Sequence, residues 1–92
     1  MKYILIVYYN FEGKKLFYSF NDYIEACEYL KEMWQYCYNI QINCVDGDEV
    51  DKEDSYCKEG YAQLKWKDGD GRFWRIEEVK EPSFDNKIEW IN

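Results

Sequence analysis

The chain predicts an α+β domain, one helix packed on an antiparallel sheet. Three observations carry this. Two strand-like stretches flank a turn near the start of the chain. A single run of apolar residues at spacings of three and four follows. A second pair of alternating stretches flanks Asp68-Gly69-Asp70-Gly71. The expected order is β-β-α-β, an acidic loop, then β-β and a possible short C-terminal strand. Residues 1–92 fit a single small domain, with the acidic loop at 46–59 inside it.

Lys2 to Tyr9 is a continuous apolar run rich in Ile, Val and Tyr, which predicts a strand buried on both faces or nearly so. Asn10-Phe11-Glu12-Gly13 is a hairpin turn, with Asn and Gly at the positions that favour them. Lys14 to Phe20 is the returning strand. Pairing Tyr9 with Lys14 sets Val7 beside Leu16 and Leu5 beside Tyr18.

Asn21 to about Tyr38 is the helix. Asn21 or Asp22 caps it, and Asp22 followed by Glu25 fits a capping box. Tyr23, Ala26, Cys27, Leu30, Met33, Trp34 and Cys37 form one apolar stripe that must face the sheet. Tyr29 and Tyr36 fall off the stripe and are candidate exposed aromatics. Asn39 to Val45 then alternates, with Ile40, Ile42 and Cys44 on one side, and predicts a strand with one wet face.

Tyr61 to Lys67 alternates again, with Ala62, Leu64 and Trp66 inward. The Asp-Gly turn follows, and Arg72 to Val79 returns with Trp74 and Ile76 on the Leu64/Trp66 face. Pro82 breaks the chain, and Ile88 to Ile91 fits a short edge strand.

The acidic stretch Asp46 to Glu59 holds seven carboxylates against two lysines, while the whole chain carries −7 at neutral pH. Such a field repels phosphate and attracts basic surfaces. Calcium registers starting at Asp46 or Asp68 fail at the positions that need Gly and Glu, so no metal site is expected. Cys27, Cys37, Cys44 and Cys57 include no C-x-x-C pair, and the chain has no His to complete a mixed zinc site. They are expected as reduced structural thiols, with only Cys57 exposed.

Catalysis is not expected. The commonest general base is absent, no Gly-rich loop opens a helix, and no cofactor is implied. Lys65, Lys67, Arg72 and Arg75 flank Trp66, Phe73 and Trp74, a pattern that binds single strands, but Asp68, Asp70 and the overall negative charge oppose direct nucleic-acid binding. No stretch approaches the length of a membrane span and no targeting segment is evident, so the expected address is the cytoplasm.

Binding remains. Asp46, Asp48, Glu49, Asp51, Glu53 and Asp54 would supply charge, and Tyr29 or Tyr36 would supply anchors, against a basic protein surface of a nucleic-acid-handling effector. In an extended segment alternate carboxylates lie ~6.7 Å apart, a spacing suited to mimicry of a phosphate backbone. In size, acidity and lack of catalytic residues the chain resembles small inhibitors carried by phages and mobile elements, such as anti-CRISPR proteins, and small bacterial immunity proteins. The resemblance is one of composition and carries no site residues. It implies an inhibitor without enzymatic activity. The alternatives are an immunity protein neutralising a basic toxin, or a self-assembling structural subunit in which the acidic loop of one copy meets the basic hairpin of the next.

Overall fold

The computed structural model describes residues 2–43 and 49–79. One helix lies on a five-stranded antiparallel sheet, the α+β architecture that the periodicities predict. The elements are β1 (Lys2–Tyr9), β2 (Lys14–Phe20), α1 (Tyr23–Ile42), a 3-10 turn at Lys52–Asp54, β3 (Tyr56–Lys58), β4 (Tyr61–Lys65) and β5 (Gly71–Val79). Their order across the sheet is β2-β1-β5-β4-β3.

The first hairpin has the expected register. Tyr9 pairs with Lys14, Val7 with Leu16 and Leu5 with Tyr18. Gly13 closes its turn at φ 65, where a side chain would be strained. The chain ends of the sheet meet at its centre, because β1 pairs with β5 along its whole length, from Lys2 against Val79 to Tyr9 against Arg72. The tips of the two hairpins are tied by Asn10. Its Oδ1 accepts from Gly71 N at 2.8 Å, and its Nδ2 donates to Gly69 O at 3.3 Å.

Asp22 caps α1, accepting from Ile24 N at 3.3 Å. The helical stripe falls where the spacing puts it. Ala26 and Leu30 are fully buried, and Met33, Trp34 and Cys37 pack against the core. Trp34 Nε1 donates to Gln63 O at 2.9 Å and pins the helix to β4.

The core lies between α1 and one face of the sheet. Leu5, Val7, Ala62, Leu64 and Trp74 have no exposed surface, and Trp66 and Val50 close one end. Each fully buried Leu contributes roughly 1.5–3 kcal/mol. Arg72 roofs the same end, its guanidinium 4.3 Å from the Tyr9 ring centroid and its Nη1 donating to Cys37 Sγ at 2.7 Å.

Two expectations are corrected. No strand forms at Asn39 to Ile42, because α1 runs through to Ile42 and is capped by Asn43. The last turns are held by two interactions at helical spacing and one long-range hydrogen bond. Trp34 and Tyr38 stack with centroids 4.8 Å apart, Asn43 Nδ2 donates to Asn39 O at 2.8 Å, and Gln41 Oε1 accepts from Trp66 Nε1 at 3.2 Å. Nor is β1 buried on both sides, since Ile4, Ile6 and Tyr8 are only half-buried on a face that no helix among the described residues covers. Cys44, Val45 and the stretch from Ile88 to Ile91 lie outside the described residues.

Candidate functional site

The acidic run is far more structured than a loop from Glu49 onward. Val50 bridges Trp66, a 3-10 turn follows, and Tyr56–Lys58 forms the edge strand β3. Its hairpin to β4 turns at Gly60, with φ 74 and the Tyr23 hydroxyl 2.8 Å from where a Cβ would stand.

Most of the described carboxylates of that run are engaged within the molecule. Glu49 pairs with Lys67 at 3.2 Å. Asp51 caps the 3-10 turn, its Oδ1 accepting from Asp54 N at 3.2 Å, while its backbone N donates to Lys65 O at 2.8 Å. Asp54 pairs with Lys65 at 3.1 Å, and its Oδ1 accepts from Gln63 Nε2 at 3.2 Å. Glu53 is exposed. Asp46 and Asp48 lie outside the described residues. Exposed pairs of this kind are worth at most about 1 kcal/mol, so these carboxylates organise the edge of the sheet more than they stabilise it.

The two tyrosines behave differently. Tyr29 leans on Tyr18 and Phe20, ring centroids 5.2 and 5.4 Å away, and so covers the β2 end of the core. Tyr36 is 69% exposed. Exposed Glu28 and Glu32 lie eight and four residues before it, on one row of the helix, and exposed Glu25 lies four before Tyr29. The solvent side of α1 is therefore anionic and aromatic together.

The opposite face of the sheet was not singled out by sequence reasoning. Alternation sends one row of side chains from Lys15 through Tyr8, Phe73 and Gln63 to Tyr56, and the next from Phe17 through Ile6, Arg75 and Tyr61 to Lys58. Phe17 is 63% exposed and Tyr61 40%. Tyr8 and Phe73 stack at 6.2 Å, and Lys15 Nζ sits 5.7 Å from the Tyr8 centroid. Lys58 Nζ lies 5.0 Å from the Tyr56 centroid. Arg75 is exposed, with Glu77 against it at 3.2 Å. Ile6, Tyr8, Lys15, Phe17, Tyr61, Phe73 and Arg75 line an open groove of about 520 Å³.

The basic-aromatic hairpin noticed in the sequence is split between the faces. Arg72, Trp66 and Trp74 serve the core side, while Lys65, Phe73 and Arg75 belong to the uncovered side. The signal for that uncovered side lies in the strand alternation, as the partner set to Leu5, Val7 and Trp74.

Reactive groups are muted. Burial pushes the Cys57 thiol up, so it is not a ready nucleophile, and it is half-buried, as are Cys27 and Cys37. The Tyr61 hydroxyl is held above its ordinary value, first by its hydrogen bond with Tyr56 and then by burial. It donates to Gln63 Oε1 at 3.0 Å and stays neutral. Among the described residues, no three Cys, Asp or Glu side chains gather to hold a metal ion. Among the same residues, no helix is long and apolar enough to cross a membrane.

The fold and these surfaces define a small α+β domain with one anionic and one cationic aromatic face. No family model, no curated protein and no solved structure matches the chain.

Proposed function

We propose that the protein is a non-enzymatic binding protein of the inhibitor type, docking on a basic, nucleic-acid-handling partner through the solvent side of α1. The supporting observation is Tyr36, 69% exposed at the end of a helical row that also carries Glu28 and Glu32. Carboxylates beside an exposed ring steer a cationic surface into place and then anchor it. This moves the charge from the acidic run, where Glu49, Asp51 and Asp54 are engaged within the molecule, to the helix, and leaves Glu53 as a rim contact. Similarity in composition to phage-borne inhibitors and immunity proteins points the same way.

The test is capture from a host lysate on the immobilised chain, at low and high salt, beside an E28Q/E32Q/Y36S variant. The expected result is a basic nucleic-acid-binding protein retained at low salt, released by added salt and lost with the variant. Identical capture by both chains overturns the reading.

Self-assembly is the second reading. It is favoured by the presence of an anionic helix face and a cationic sheet face on one molecule, which suits head-to-tail contacts. Sedimentation separates the two, because a salt-sensitive oligomer forms without any partner only under self-assembly.

A further inference from the structure

We infer that the uncovered sheet face is a stacking platform for single-stranded nucleic acid. The proposed function does not require this, since that reading uses the other side of the molecule.

A face that merely met water would alternate to small polar residues. This one alternates to rings and cations. Phe17 and Tyr61 stand on the same cross-strand row, with Ile6 and Arg75 between them. At ~4.8 Å per strand the two exposed rings are ~14 Å apart, with the Tyr8–Phe73 stack in the adjoining row. A ring platform on an open sheet is the arrangement on which two or three unstacked bases lie. Lys15, Lys58 and Arg75 stand around it at the reach of a backbone phosphate.

Charge decides between occupants. The overall charge of −7 argues against nucleic acid for the chain as a whole, but the described residues of this face carry more cations than carboxylates. Among the described residues, the carboxylates on it are Glu77, set against Arg75, and Asp54, set against Lys65. A second copy docked face to face would bring the same cations together, while the described carboxylates of the face, Glu77 and Asp54, are already paired within their own copy. A strand that alternates flat bases with phosphates answers both the rings and the cations.

The experiment is fluorescence anisotropy of a labelled oligothymidine or oligouridine of about 12 nucleotides, titrated with the full chain at low and rising salt. Binding is expected with either sugar and is expected to weaken with salt. Phe17→Ala and Tyr61→Ala should each weaken it roughly ten-fold or more. Lys15→Gln and Arg75→Gln should each reduce the salt slope by about 0.7. Glu77→Gln should tighten binding by freeing Arg75, and Lys31→Gln on the helix should change nothing. Circular dichroism of each variant confirms its fold, and the salt slope of Lys15→Gln stands as an independent readout if Tyr61→Ala does not fold.

Absence of binding at low salt overturns the inference. So does binding that survives Phe17→Ala, an equal loss with Lys31→Gln, or a dimer that Phe17→Ala disperses. No partner protein is present in this assay, so its failure leaves the helix reading standing, and failed capture from lysate leaves this one standing.

Discussion

The two faces of the sheet are built by the same strands and could hardly be more different. On the covered side Leu5, Val7, Ala62, Leu64 and Trp74 lose all their exposed surface to α1. On the other, the intervening residues keep Phe17 at 63% and Tyr61 at 40% exposed, among Lys15, Lys58 and Arg75. A single helix cannot cover both sides of five strands. The exposed rings therefore contribute little to the fold, and their presence points to contact with something outside it.

Five substitutions test how cleanly the faces divide the labour. Trp74→Ala should be the most damaging, costing about 3–5 kcal/mol, because it empties the middle of the covered side. Urea unfolding measures it, and a loss under ~1 kcal/mol would mean the core lies elsewhere. Gly60→Ala should cost roughly 1–2 kcal/mol from its φ of 74, with more from the Tyr23 hydroxyl that its methyl would meet. Asp51→Ala should cost about 1 kcal/mol by uncapping the 3-10 turn, while Glu53→Gln stays within ~0.5 kcal/mol, and thermal melts of the pair separate structural from free carboxylates in one run. Phe17→Ser should be the mildest for folding, within about 0.5 kcal/mol. A larger destabilisation in the same urea series would make the uncovered face a second core and break the comparison.

Local signals were legible in the sequence and distant ones were not. The register of β1 with β2 follows from four turn residues, and the helical stripe from spacing alone. The end of α1 was not legible. Ile40, Ile42 and Cys44 alternate over too short a span to separate strand from helix, and what extends the helix is Gln41 meeting Trp66, a contact 25 residues away. Charge density hid β3, because Tyr56-Cys57-Lys58 before Glu59-Gly60 is a sound hairpin signal inside an acidic stretch. The uncovered face needed the pairing of β1 with β5. Only that pairing sets Tyr8 beside Phe73 and Ile6 beside Arg75. Of the candidate residues, Tyr36 is exposed as its helical position predicts, whereas the internal pairs of Glu49 and Asp54 were not legible because their partners, Lys67 and Lys65, lie in another part of the chain.

The central seam of β1 against β5 also dictates when this domain comes into being on the ribosome. The strand made first must wait for the one ending at Val79 before the sheet has a middle. The first hairpin and the helix precede it in the chain, and they can bury only part of their apolar sides against each other, since Leu64 and Trp74 of the core come later. The β1–β5 pairing is a long-range closure of the kind that slows folding, and Asn10 fastens it by bonding across to Gly69 and Gly71.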